Sequence, residues 1–73
     1  MGRTFSIILD TDSELTIFKQ VVSDFGAKYA GASGYHNHKI YAEIITDART
    51  AGMIDAEFTR RLAEAERKEA AIA

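Results

Sequence analysis

The stretch Asp12–Ala30 (DSELTIFKQVVSDFGAKYA) decides the fold. At about 100° per residue along an α-helix, its apolar side chains fall on one arc roughly 160° wide. These side chains are Leu15, Ile17, Phe18, Val21, Val22, Phe25 and Tyr29. Polar residues fill the opposite side, which predicts one amphipathic helix with a broad face on the core. Because the stretch carries three of the seven aromatic residues, we expect most of the core to form against it.

A strand is predicted immediately before this helix. In Arg3–Asp10, apolar side chains alternate with small polar ones, which is the two-residue period of a half-buried strand. Ile8 is the exception because it puts an apolar group on the otherwise polar face. Thr11, followed three residues later by Glu14, forms a capping box that marks the start of the helix.

After the helix, the sequence predicts a turn and two further helices. Gly31–Gly34 is interpreted as the turn. The periodicity of Asn37–Ala51 indicates a second helix, ended by Gly52 as a C′ glycine. Asp55 then caps a third helix, whose last residues, 66–73, we expect to fray. The predicted fold class is therefore α+β but mostly α: a single small domain, 1–73, in which an N-terminal strand precedes three helices (β-α-α-α).

A lone strand cannot satisfy its own backbone donors and acceptors, so this one needs a partner. Three partners are compatible with the sequence: Tyr35–Ile40 in an extended form, the same strand of a second copy, or an edge strand of another protein. The apolar side chain of Ile8 favours a strand that is covered on both faces. We therefore expect something outside the chain to complete the strand.

The composition argues against several classes of protein. The 73 residues include no cysteine, and the net charge of −2 is spread evenly along the chain. The absence of a basic face weighs against non-specific nucleic-acid binding. Apolar runs such as Ile7–Leu9 are too short for a signal peptide or a membrane span, so we expect a cytoplasmic protein with no membrane contact.

Two acidic residues follow the strand. The run Ser6–Asp12 (SIILDTD) resembles the first motif of haloacid-dehalogenase-type phosphotransferases, in which an apolar strand ends in Asp-x-Asp. The resemblance implies Asp10 as nucleophile and Asp12 as acid/base beside a magnesium ion. However, Ser13 and Glu14 replace the family's Gly-Thr, and the chain is too short for that family's parallel sheet. We interpret both carboxylates as a strand-end and first-turn pair favoured by the helix dipole, and we predict no enzyme.

His36 and His38 are the other candidates for chemistry. On a strand they would share a face and could hold a metal with a third ligand such as Asp10 or Asp12. On a helix they would lie about 200° apart and could not. Histidines just before a helix are more often exposed or capping groups, so we predict neither a metal site nor a cofactor.

Two families share parts of the predicted element order. Strand, helix, turn, helix resembles the ribbon-helix-helix repressors, with Asn37–Ile45 similar to the start of that family's second helix. The resemblance implies a dimer that inserts its paired strands into the DNA major groove. The base-facing residues would be Thr4, Ser6 and Ile8, with Arg3 near phosphate. Separately, the run Ala51–Phe58 is similar to the bend of helical-hairpin domains of the SHOCT type.

The favoured function is that of a small interaction protein without enzymatic activity. We expect it to bind a larger protein partner and to modulate or inhibit it, as an adaptor or inhibitor of the kind that phages encode. Binding would use strand addition to the first strand, or docking of the third helix through a poorly covered Phe58 and Leu62 stripe. The predicted partner-binding residues are Arg3, Thr4, Ser6, Ile8, Phe58, Arg61 and Leu62. A homodimer is compatible with this function, and the alternative is a dimeric ribbon-helix-helix-like DNA-binding transcriptional regulator.

Overall fold

In a computed structural model of the chain, residues 2–34 and 39–72 are described, with side chains for 2–34 and 39–68. The elements in chain order are β1 (Arg3–Leu9), α1 (Asp12–Asp24), β2 (Lys28–Gly34), β3 (Ile40–Thr46) and α2 (Ala48–Ile72). The three strands form an antiparallel sheet in the order β1-β3-β2. The prediction of one strand followed by three helices is therefore wrong, because the described chain is β-α-β-β-α.

The strand and the helix start predicted near the N-terminus are confirmed. β1 places Phe5 and Ile7 toward the core in a half-buried position, and Leu9 is fully buried. The Thr11 hydroxyl accepts a hydrogen bond from the backbone N–H of Glu14 at 3.2 Å, which is the N-cap interaction expected at the start of α1. These signals are local in sequence, and they give the right structure.

The end of α1 is where the sequence interpretation first fails. The helix was expected to reach Ala30, but it ends at Asp24. Gly26 adopts a φ of 69°, a left-handed conformation that favours glycine. Two reversed bonds then close the helix: Gly26 N–H donates to the Ser23 carbonyl and Ala27 N–H to the Val22 carbonyl, both at 3.1 Å. This is a Schellman motif, and it turns the chain back toward the sheet.

The central strand of the sheet, β3, comes from a segment that was predicted to be helical. The expected second helix, Asn37–Ala51, and the expected turn, Gly31–Gly34, are both wrong. Ala42 and Ile44 of β3 are buried against the helices, while Tyr41 alternates with them on the opposite face. Strands on both sides pair with β3, so its backbone groups are satisfied without a helix.

The last residues of the predicted second helix, 48–51, continue without a break into the predicted third helix, and together they form α2. Asp47 is the residue before α2, and its carboxylate accepts a hydrogen bond from the Thr50 N–H at 3.0 Å. Gly52 and Asp55 lie inside α2, so the predicted stop, cap and bend are wrong. A glycine costs a helix only about 1 kcal/mol relative to alanine, which burial of Ile54 outweighs. The helix continues to Ile72, and fraying of 66–73 stays a prediction.

Both helices pack on one face of the sheet. The buried core takes three residues from the sheet, three from α1 and two from α2: Leu9, Ala42, Ile44, Phe18, Val21, Val22, Ile54 and Phe58. The rings of Phe18 and Phe58 meet edge to face, with centroids 5.5 Å apart. Most of the core therefore does form against α1, as expected. No helix in the described ranges is long and apolar enough to span a membrane.

Candidate functional site at the edge of the sheet

β1 is paired inside the chain, which corrects the expectation that its partner lies outside. It runs antiparallel to β3 in a regular register from Arg3 opposite Thr46 to Leu9 opposite Ile40. The residues at 35–38, part of the segment considered as an internal partner, lie outside the described residues. On its other side, β1 has no strand partner and no backbone hydrogen bond among residues 2–34 and 39–72. We call this side the β1 edge.

The opposite border of the sheet, the β2 edge, carries features that discourage further pairing. The register of β2 shifts between Tyr29 and Gly31, where an irregularity interrupts the ladder. Gly31 has a φ of 119°, and the strand ends at a second glycine, Gly34. Bulges, glycines and exposed lysines such as Lys28 are devices that protect a sheet edge from other strands.

The β1 edge has almost none of these devices. Its seven residues, RTFSIIL, include no proline, glycine or lysine, and no register shift interrupts its pairing with β3. Three of them are β-branched, a composition that favours strands. The single charged residue, Arg3, stands at the first position. A long, regular and largely apolar edge of this kind is a template for another strand.

The outer face of the sheet carries three of the predicted binding residues of β1. Thr4, Ser6 and Ile8 are exposed there, and Arg3 is exposed at the strand's start. Ile8 is 51% exposed, so the expectation that both faces of the strand are covered is wrong within the described chain. On the same face, the Tyr41 hydroxyl donates to Ser6 Oγ at 2.7 Å.

A groove lies along β1 on the helix side of the sheet. One wall is formed by Phe5, Ser6 and Ile7 of β1, with Phe18 and Ile44 at its base. The other wall belongs to α2 and consists of Ala51, Ile54 and Asp55. The groove has a volume of about 170 Å³ and a largely apolar lining. We call it the edge groove.

The predicted docking stripe on the helix is not a free surface. Phe58 is only 5% exposed because it packs on Phe18, and Leu62 packs against the core in a partly buried position. Arg61 is engaged by Asp24 at 2.8 Å and by Glu57 at 2.7 Å. The expectation that this stripe is poorly covered is therefore wrong, and α1 is what covers it.

The ion pair between Arg61 of α2 and Asp24 of α1 joins the two helices, and the other pairs of α2 lie within it. Hydrogen bonds from Arg60 and Arg61 lower the pKa of Glu57 from 4.5 to about 2. Glu57 and Asp24 in turn raise the pKa of Arg61, while Arg61 lowers the pKa of Asp24. Within α2, Arg61 pairs with Glu57 at 2.7 Å and Arg60 pairs with Glu64 at 2.6 Å. Arg61 thus connects the charges of α2 to Asp24 of α1 at the surface, which is a structural arrangement.

The acidic pair after β1 is built differently from a phosphotransferase motif. Asp10 accepts a hydrogen bond from Lys39 Nζ at 2.6 Å, which raises the pKa of Lys39. Asp12 is the first residue of α1, as the first-turn interpretation predicted. In the part of the chain that the structure describes, no three acidic, histidine or cysteine side chains could together hold a metal. His36 and His38 lie outside the described residues.

Sequence reasoning found the edge strand but missed the α2 wall of the edge groove. Ala51, Ile54 and Phe58 follow the 3-4 spacing of a single helix face, and this spacing runs through Gly52 without a break. That continuity was the available signal. The strand-helix-turn-helix order behind the ribbon-helix-helix resemblance is absent from the described chain.

Comparisons with protein-family models, with curated proteins and with solved structures found no match to this chain. Its function must therefore be inferred from its own geometry.

Proposed function

We propose that this chain is a small, non-enzymatic interaction protein that binds a larger protein partner by accepting one of the partner's strands at the β1 edge. The partner is modulated or inhibited because the strand it contributes is occupied. The observation that carries the proposal is the contrast between the two borders of the sheet: the β2 edge is protected and the β1 edge is not.

Strand addition suits the chemistry of this border. Main-chain groups of an edge strand supply affinity to an incoming extended segment, and pockets beside the strand supply specificity. The exposed residues Thr4, Ser6 and Ile8 would lie next to the added strand on the outer face. The edge groove offers space for side chains on the other face.

Backbone hydrogen bonds alone do not supply enough free energy for tight binding of a partner strand. About six hydrogen bonds along a seven-residue strand, at roughly 1 kcal/mol each, stabilise a complex by about 6 kcal/mol. Association costs about 4–15 kcal/mol in lost freedom of the two molecules, so backbone pairing alone gives weak binding. Side chains that enter the edge groove, or that cover Ile8, must provide the remainder.

The outer face does not favour a nucleic-acid ligand. Glu43 lies near the middle of this face, opposite Ser6, and the net charge of the chain is −2. A carboxylate at that position repels phosphates. DNA binding as a regulator stays a prediction of the sequence, with no structural observation in its favour.

The test compares the two edges directly. Protein captured from the source cell by the immobilised chain is purified, and its dissociation constant is measured for three variants: wild type, Ile8→Lys and Ser33→Lys. Ser33→Lys is the matched control, since Ser33 is an exposed residue on β2. A lysine at an edge discourages strand pairing, so we expect at least tenfold weaker binding for Ile8→Lys and less than twofold change for Ser33→Lys.

Three outcomes would contradict the proposal. They are capture of no protein, binding by Ile8→Lys within threefold of wild type, or equal weakening by Ser33→Lys. Circular dichroism of each variant checks that helical content is unchanged.

A further inference from the structure

We infer that a second copy of this chain fits the β1 edge, so that two copies pair antiparallel through β1 and form one continuous six-stranded sheet. The inference uses the same edge as the proposed function but rests on a different observation. That observation is the complementarity between β1 and the edge groove beside it.

The helix-facing side of β1 carries apolar side chains that could fill the space in the edge groove of a second copy. By strand alternation, Arg3, Phe5 and Ile7 all lie on the helix side of the sheet. Phe5 and Ile7 are half-buried and line the groove of their own copy. In an antiparallel pair, the second copy's β1 lies beside the first in the plane of the sheet, so its Phe5 and Ile7 also point to the helix side and face that groove from beyond β1. A volume of about 170 Å³ has room for such a side chain, since a cavity of roughly 150 Å³ holds benzene.

The charges on the two walls are also complementary. Asp55 stands on the α2 wall of the groove, and Arg3 stands on β1 two residues before Phe5. Both residues are exposed, and neither forms an ion pair with any residue that the structure describes. If Phe5 of one copy enters the groove of the other, Arg3 of that copy approaches Asp55. A two-fold axis makes this contact twice.

Other modes of self-association fit less well. Packing two outer faces together would bring Glu43 of one copy toward Glu43 of the other, because this residue lies near the middle of the face. Pairing through the β2 edge would require strands to match across the irregularity at Gly31. At the β1 edge, the groove, the unpaired backbone of a regular strand and the opposite charges of Arg3 and Asp55 all favour pairing with a second copy.

The dimer is expected to be weak, which leaves the edge available to a partner. A stable interface buries at least about 1,200 Å², and one pair of seven-residue strands with two grooves falls at the low end of that range. We expect a dissociation constant of roughly 10–100 µM. Self-association and partner binding would then compete for one surface.

A charge-exchange experiment tests the inference, using the purified full chain in sedimentation equilibrium between about 5 and 500 µM. Arg3→Asp and Asp55→Arg are each expected to weaken the dimer at least tenfold. The double variant and an equimolar mixture of the two single variants both restore opposite charges across the interface. We therefore expect both samples to associate within threefold of wild type. Ser33→Lys on β2 is the control and should associate like wild type.

The inference is overturned if the wild type is monomeric at 500 µM, if either single variant associates like wild type, or if neither combination restores association. Its failure is distinguishable from failure of the proposed function. If the chain is monomeric but binding of the captured partner still depends on Ile8, only the dimer is excluded. If the chain forms a charge-dependent dimer but captures no partner, only the proposed function is excluded.

Discussion

The two borders of this three-stranded sheet are built on different principles. The β2 edge has an irregular register, a glycine at a φ of 119° and an exposed lysine. The β1 edge is a regular strand with β-branched residues and one terminal charge. A small sheet needs protection at both borders unless one of them is occupied by something else. This difference is what supports our proposal that β1 is the side that meets another chain.

The helix layer repeats the same contrast. Beside β2, Lys19 of α1 places its ammonium group 5.1 Å from the centre of the Tyr29 ring, so a long side chain covers Tyr29. Beside β1, the wall of α2 stands off and leaves the edge groove. The helix layer therefore covers β2 at Tyr29 and leaves a groove along β1.

The largest expected effect concerns the core that supports both borders. Phe58→Ala should lower the free energy of unfolding by about 3–5 kcal/mol, because it removes a buried ring packed on Phe18. Urea denaturation at neutral pH measures this loss. Met53→Ala on the same helix is the control, since Met53 is 49% exposed. A loss below about 1 kcal/mol for Phe58→Ala would instead mean that Phe58 lies on the surface.

The next effect tests whether the β2 edge depends on its glycine. Gly31→Val should destabilise the fold by about 1–3 kcal/mol, because a β-branched residue is strained at this backbone conformation. The space around Gly31 is open, so the cost comes from the backbone and not from a clash. Gly34→Val is the matched control, since Gly34 is also in open space but has no positive φ. Equal thermal stability of the two variants would contradict the assignment.

A smaller effect is expected from acid, at the ion pairs that fix the α2 wall. Folding holds the pKa of Glu57 at about 2 instead of 4.5, so its contribution to stability is complete above pH 4.5 and disappears as the pH falls through 2. The pKa values of Asp24 and Asp47 are also lowered, so their contributions to stability are likewise lost as the pH falls. The urea midpoint should fall between pH 6 and pH 2, and it should fall less in Glu57→Gln. An identical decrease in both proteins would argue against this role of Glu57.

The smallest effect is on the edge residues themselves. Ile8→Lys and Ser33→Lys should each change the free energy of unfolding by less than about 0.5 kcal/mol, because both sites are exposed. Their difference should appear only in binding. If Ile8→Lys unfolds the chain in a thermal scan, Ile8 belongs to the internal structure and the comparison of the two edges fails.

The sequence predicts the elements whose signals are local. β1 follows from an alternation that only Ile8 breaks, and the start of α1 follows from the Thr11 cap. β2 is rich in glycine and alanine and has no apolar period of its own, so its strand conformation depends on pairing with β3. The β3 segment supports two periods, and the choice between them is made by two neighbouring strands that lie far away in the sequence. Structure is easier to predict from sequence where it depends on residues that are close together in the chain.

The same division applies to the candidate site. The sequence placed Thr4, Ser6 and Ile8 together on one strand face, which is confirmed, but it predicted that this face is covered, whereas all three residues are exposed. It did not predict the edge groove, because that groove exists only once α2 is positioned against β1 by Ile54 and by Phe58 in the shared core. Phe58 was interpreted as a surface anchor for the same reason: its burial depends on where α1 lies.

The sheet order also has a consequence for the order in which the molecule assembles. In the ladder of β2 and β3, the pair that is nearest in sequence is Gly34 and Ile40, six positions apart, whereas in the ladder of β1 and β3 it is Leu9 and Ile40, 31 positions apart. Closing the longer loop costs more chain entropy. We therefore expect β2 and β3 to pair first and β1 to pair with β3 last. The last strand to dock is also the first to detach when the native state opens locally. Amide hydrogen exchange in β3 should therefore slow down whenever a neighbour holds the N-terminal strand in place.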